Sequence, residues 1–349
     1  MKKTTIFFLI IGILAMAVGG VGSAVFYQRA KTTMINDFHD TYTIKNRTSL
    51  KEVRLTLSGN ANYSISPSDD GTVTMDGQSS VTTPLDGTLK ASEANDILTV
   101  TVDGRSQNEA FDNLDFHFFY VDSTTIRLTI PADVDRVVVD GDTNGRIEVY
   151  DFQSSQFEIT ANAADIHAIS TATDKMRLVS KDGDISVYGD TKVEDLYMES
   201  DHGNLNVNGV SGTTLALTTS SGDLDLTDVK SNTLTAHSKS GEIYINGLSG
   251  GEATFTGKNG SMYLTGEELP KKITATMEHG DIEVDLSASI ENVSVKADSE
   301  LGDIDLLGDK TSYIKGKNGS LVTLKTTTGD ISLYGIYSDE DYDYDYEEE

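Results

Sequence analysis

The stretch SSGDLDLTDV, residues 220–229, sets a glycine and an acid ahead of strict apolar alternation at Leu224 and Leu226. The same phrase returns along the chain as DGDISVYG around Gly183, HGNLNVNG around Gly203, SGEIYING around Gly241 and NGSMYLTG around Gly260. It continues as HGDIEVDL at Gly280, LGDIDLLG at Gly302 and TGDISLYG at Gly329. Weaker copies stand at Gly145 (NGRIEVYD) and at Ala164 (AADIHAIS). From position 145 the intervals are 19, 19, 20, 19, 19, 19, 20, 22 and 27 residues, so the chain is a repeat and each motif has to be placed on it.

With Gly222 as origin, Leu215, Leu217 and Thr219 precede the glycine at alternate positions, and Leu224 and Leu226 follow it. Period-two alternation marks a strand with one face inward, so each repeat supplies two short strands. The polar neighbours of each origin glycine suit a tight turn, and positive φ there is the expected reason for glycine. The third residue before the glycine is mostly small (Ala161, Ser180, Ser200, Thr219, Ser238, Gly257), which predicts a narrow interior beside the bend; Met277 departs from it. A unit of 19 residues cannot bury its apolar face alone, whereas stacked coils cover one another. The fold expected is all-β, a single-chain β-helix or solenoid of ~19-residue coils rising roughly 4.8 Å each. Antiparallel hairpins, as in a propeller or sandwich, are the competing arrangement, with Thr219 facing Leu224 across the bend.

Outside the repeat, residues 4–27 carry no charge, a length that can span a bilayer as a helix. Small residues Gly22, Ser23 and Ala24 also fit a cleavable signal. The organisation expected is a signal anchor or transmembrane helix over 1–31, degenerate β-strand coils capping one end over 32–135, regular solenoid over 136–337, and a disordered acidic tail over 338–349. The tail, SDEDYDYDYEEE, holds eight acids and three tyrosines in its last eleven residues, too self-repelling and too poor in aliphatics to form a core. The expected location is the cell membrane, single-pass, with the C-terminal domain outside the cytoplasm.

The formal net charge of −29 disfavours nucleic acid as a partner, since phosphate backbones call for clustered Lys and Arg. Absence of cysteine excludes disulfides and thiolate sites. The residue after each origin glycine forms an acid column, in which Asp184, Asp223 and Glu242 are the calcium candidates. Asn204 and Ser261 interrupt it, and the simpler role is a hydrated turn cap. His202 and His279 lie four coils apart, roughly 19 Å, too far to share zinc. Outward acid pairs such as Asp223 with Asp225 meet the spacing of glycosidase carboxylates, as do many others, so they single out nothing. Tyr244 and Tyr263 fall on one column in successive coils, and no phosphate loop, nucleophile elbow or HExxH is present.

The hydrophobic start, the first strand set LKEVRLTLSGNANYSISPSDDGTVTMDG, the segment STTIRLTIPADVDRVVVDGDTNGRIEVYD and the train of SGDLDL-type phrases together resemble the bacterial putative-adhesin domain of unknown function, over about residues 50–335. That resemblance implies a β-helical envelope protein of Gram-positive type, some relatives being tied to envelope stress. The expectation is a non-catalytic binding or structural surface without cofactors, partnered by the membrane and by an envelope protein or polysaccharide. A carbohydrate-active enzyme on a β-helix and a calcium-stabilised module are the alternatives.

Overall fold

The computed structural model describes residue 16 and residues 19–23, 36–79, 89–104, 124–287, 289–308 and 311–335. The expected membrane span lies outside these residues except for Met16 and 19–23, and the acidic tail lies outside them altogether. Among the described residues no helix is long and apolar enough to cross a membrane.

Each coil is a long strand, the glycine bend, and a short strand. Ser211–Thr219, for example, leads through Gly222 into the strand that begins at Leu224. Successive coils pair in parallel and in register, Leu196 beside Leu215, Leu215 beside Leu234 and Leu234 beside Ala253. Thr219 lies beside Ser200 and Ser238 rather than across from Leu224, which excludes the hairpin arrangement. The short strands stack in the same way, Leu205, Leu224, Ile243 and Met262 forming one column. Both columns are buried, and the alternating inward residues of the two stacks form one continuous core. Burying each such side chain contributes roughly 1.5–3 kcal/mol, and no coil can collect that contribution without its neighbours.

Stacking follows chain order only in the middle. At one end, Glu52–Gly59 pairs with both Ile97–Gly104 and Arg136–Thr143, and Ala61–Ser68 pairs with both Thr124–Pro131 and Arg146–Tyr150. The first coil in sequence is therefore second in space. The far end repeats the device: Ser320–Thr328 sits between Lys272–His279 and Val293–Ser299, and Ile331–Gly335 between Ile282–Leu286 and Ile304–Leu306. The spatial order of bends is thus Gly280, Gly329, Gly302, and not the chain order that simple stacking of successive coils would give. The longer intervals of 22 and 27 residues supply the chain needed to skip a position and come back. A terminal strand held on both edges cannot fray as an outermost one would.

Antiparallel strands finish the ends. Leu89–Ala94 covers Ile97–Gly104, while Thr72–Ser79 lies on Thr124–Pro131 and is itself covered by Asn36–Thr43. At the opposite end Ser312–Lys315 runs antiparallel to Val293–Ser299. Residues 36–131 thus contribute two coils and three antiparallel strands to one end.

Candidate functional site

The origin glycines need explaining first. Positive φ holds at Gly241 (153°), Gly260 (131°) and Gly280 (138°), but not at Gly145, Gly183, Gly203, Gly222, Gly302 or Gly329. The reason common to all nine is proximity: a Cβ at Gly203 would run into the carbonyl of Gly183, one at Gly222 into that of Gly203, and one at Gly329 into that of Gly280. Backbones of neighbouring coils meet here with no room for a side chain.

The small column beside the bend has a chemical role as well as a size. Ser180 Oγ donates to the carbonyl of Ala164 at 3.0 Å, Thr219 Oγ1 to Gly203 at 2.9 Å, Ser238 Oγ to Gly222 at 3.1 Å and Thr326 Oγ1 to Gly280 at 3.0 Å. Buried carbonyls must be satisfied, and these hydroxyls do it from the coil above. At Gly183 and Gly302 the same hydroxyl also accepts the glycine N–H, at 3.0 and 2.9 Å from Ser180 and Ser299. Gly222, Gly241, Gly260 and Gly280 instead donate to the next coil's backbone carbonyls. The run of Ser and Thr was visible in the sequence, but its hydrogen-bonding role needed the register.

The acid column is a ladder of the same kind. Asp184 Oδ1 accepts the N–H of Asn204 at 2.7 Å, Asn204 Oδ1 that of Asp223 at 2.8 Å, and Asp223 Oδ1 that of Glu242 at 2.8 Å. Asp281, Asp330 and Asp303 continue it at 2.8 Å per step. Asp184 and Asp223, two of the three calcium candidates, each commit an oxygen to the backbone, and Asn204 does the same work without charge. Among the described residues no group of three or more His, Asp or Glu side chains could hold a metal ion.

The histidines disperse. His202 Nδ1 lies 2.9 Å from Asp182, His237 Nδ1 2.8 Å from Thr256 Oγ1 and His279 Nδ1 2.7 Å from Thr328 Oγ1, while His39 meets Asp76 at 2.6 Å near the other end. His117 lies outside the described residues. His167 is half-buried beside Tyr188, and burial first, then the Arg146 charge, push its pKa below the usual imidazole range, against the pull of Glu148, Asp165 and Asp184.

A second corner lies six residues after each origin position, and there positive φ is found at all but Leu286 and Gly335. Gly189 (78°), Gly209 (66°), Gly247 (74°), Gly266 (157°) and Gly308 (93°) share the position with Asp151 (54°), Ser170 (51°) and Asp228 (52°). Its signal was legible as the YG, NG, TG and LG that close many of the repeated phrases. Just beyond it, the parallel ladders skip one residue per coil, at Ser155, Asp174, Glu194 and Thr213. The kink opens a groove of about 1170 Å³ across several coils, lined by Asp133, Asp135, Asp151, Asp174, Glu194 and Lys192. Its acids are exposed.

The two flat outer faces differ. On the long-strand face the charges are internally matched: Arg136 lies 3.0 Å from Glu158, and Arg177 stands 4.4 Å above the Tyr197 ring, whose hydroxyl donates to Glu199 at 2.7 Å. On the short-strand face Tyr244 and Tyr263 stack at 5.2 Å with 10° between planes, flanked on their column by Asp225 and Glu283. Tyr150 donates to Glu148 at 2.6 Å, and that carboxylate, with burial, pushes its pKa up to about 12.

Among solved structures, the chain is similar to a "putative adhesin" from Bacteroides fragilis (13% identity, TM-score 0.36, covering 86% of this chain and 97% of that one). It is similar also to a "putative adhesin" from Parabacteroides distasonis (11%, 0.41, 86% and 94%) and to a "putative lipid binding protein" from the same organism (13%, 0.41, 86% and 97%). No curated protein matches it. The family model, by contrast, spans residues 44–334 and so takes in every coil of both ladders, terminal exchanges included: the chain belongs to the Toastrack DUF4097 family.

Proposed function

We propose that this protein is a membrane-anchored, extracytoplasmic β-solenoid that acts as a non-catalytic binding surface of the cell envelope, adhesin-like in meeting an envelope protein or polysaccharide. The observation that carries the reading is how its polar groups are divided. Among the described residues the buried polar side chains are all Ser or Thr, and Ser180, Ser200, Thr219, Ser238 and Thr326 serve the glycine bends. Acid–base catalysis needs a carboxyl group or imidazole held in a water-poor pocket at a tuned pKa. A binding surface needs the opposite, extended outer faces on which polar and aromatic groups recur at a fixed spacing of about 4.8 Å. The uncharged stretch at residues 4–27 supports the anchor, and the −29 charge argues against nucleic acid.

The test uses the full chain, which has no native cysteine. A single-cysteine variant, Thr235→Cys, should react with a membrane-impermeant maleimide on intact cells; reaction only after lysis would overturn the location. The chain should sediment with isolated envelope polysaccharide, and Tyr244→Ala with Tyr263→Ala should weaken this about tenfold. Release of new reducing ends, lost in an acid-to-amide variant, would place the protein among carbohydrate-active enzymes instead.

A further inference from the structure

The two ends of the rod are finished differently. At the end built by residues 36–131 the outer strands carry Asp37, His39 and Asp40 on one side and Lys90 and Glu93 on the other, and charged edges discourage pairing. At the opposite end Ile304–Leu306 has, among the described residues, a ladder partner on one side only, the strand Ile331–Gly335. Around it Leu301 is 79% exposed, Ile314 70% and Leu307 50%. Among the described β-structure every exposed Leu, Ile or Val lies in this region, Leu321 being the fourth. Leu307 is also held at φ 53°, a strained backbone for a bulky residue, and gains no burial in return.

We propose that this end is an interface with a second copy of the chain, the two rods meeting end to end about a two-fold axis. Charge argues for the occupant. Lys296 and Lys317 lie at the long-strand edge of the end, where Asp298 is paired with Lys325 at 3.6 Å and Glu300 leads into the bend, and Asp303 and Asp305 lie at its short-strand edge. A dyad parallel to the strands and between the two sheets sets the lysine-bearing edge of each copy against the Asp303 and Asp305 edge of the other, and covers the exposed Leu301, Leu307 and Ile314 of both copies.

Single-cysteine variants of the full chain in mild detergent test this. Under mild oxidation Leu301→Cys and Ile314→Cys should form disulfide-linked dimers in at least tenfold higher yield than Asp37→Cys at the other end or Thr235→Cys on the side. Adding Ile314→Asp to Leu301→Cys should return the yield to the control level, and the sedimentation mass of the Ile314→Asp chain should fall from two chains to one. A single-chain mass for the unaltered protein, with end cysteines no more reactive than the controls, overturns the proposal. Should the end thiols of such a monomer alkylate slowly, and quickly once residues 336–349 are removed, the surface belongs to the chain's own acidic terminus and the second copy is equally overturned.

Discussion

Ser200 bridges two coils at Gly183: its hydroxyl donates to the Gly183 carbonyl at 3.0 Å while accepting the N–H of Gly203 at 2.9 Å. Ser200 is buried, so removing the hydroxyl strands two backbone groups away from water. Ser200→Ala should cost about 1–3 kcal/mol, read as a shift in the urea midpoint at unchanged slope. Ser200→Thr should stay within about 1 kcal/mol of the parent, because Thr219 and Thr326 already make the same carbonyl bond from this column. Equal loss from both variants would mean that fit, and not hydrogen bonding, sets the column.

Two columns of glycine serve different needs, and alanine separates them. At Gly203 a Cβ meets the Gly183 backbone, which cannot yield without parting the coils, so Gly203→Ala should cost about 3 kcal/mol or more. At Gly209, φ 66°, the nearest atom to a Cβ is 3.9 Å away, and Gly209→Ala should cost only the left-handed strain, about 1–2 kcal/mol. The converse change, Ser170→Gly, relieves the same strain and should gain roughly 0.5 kcal/mol after the glycine's own entropy is counted. Denaturant unfolding of the three variants ranks them; a milder effect at Gly203 than at Gly209 would refute the division.

The coil, its period and its inward columns were legible because every repeat writes the same alternation, and Leu215, Leu234 and Ala253 do stack. The spatial exchange of Gly302 and Gly329 was not, since a strand's sequence states which face is inward but not which coil lies beside it. The ladders at Ser200 and Asp223 were present as residue types, yet which backbone group each would meet depends on register between coils, a non-local quantity. The groove was hidden for the same reason: nothing in Ser155, Asp174 or Glu194 alone announces that the ladder skips them.

His167 makes stability depend on pH. Its folded pKa is depressed, chiefly by burial and then by Arg146, so the unfolded chain takes up the proton first as pH falls. The folded state should therefore lose stability as pH drops below about 6.5, the ordinary imidazole value, until the folded pKa is passed. His167→Gln should flatten that part of the profile. Unfolding at pH 8 and pH 5 gives the comparison, and identical slopes for parent and variant would remove the effect.

Gly257 and Met277 depart from the hydroxyl column together. A Cβ on Gly257 would fall on the Met277 thioether and terminal methyl, so the missing side chain of one coil is the space that receives the longer one of the next. Gly257→Ser alone should overpack the site and cost about 1–3 kcal/mol, and Met277→Thr alone should leave a void costing about 2–3 kcal/mol. Together they restore the Ser/Thr ladder, so the double variant should be at least about 1 kcal/mol more stable than the two losses added. Simple additivity would mean that the two departures are unrelated.

Asp223 decides whether the acid column needs its charge. It accepts the Glu242 N–H through Oδ1, and Asn204, one coil away, accepts the Asp223 N–H with an uncharged oxygen at the same 2.8 Å. The ladder therefore asks for a short side chain with an sp² oxygen, and an amide has one. Like charges on neighbouring rungs repel by roughly 1 kcal/mol in water, so losing one relieves rather than harms the stack. Asp223→Asn should hold or slightly raise the melting temperature, whereas Asp223→Ala should cost about 1 kcal/mol by leaving the Glu242 N–H to solvent. A calcium-stabilised column would behave in the reverse sense: the amide would destabilise, calcium would raise the parent's melting temperature and a chelator would lower it. Melting the parent and both variants with calcium and with chelator distinguishes the two, since a backbone ladder predicts the same midpoint for each protein in either buffer.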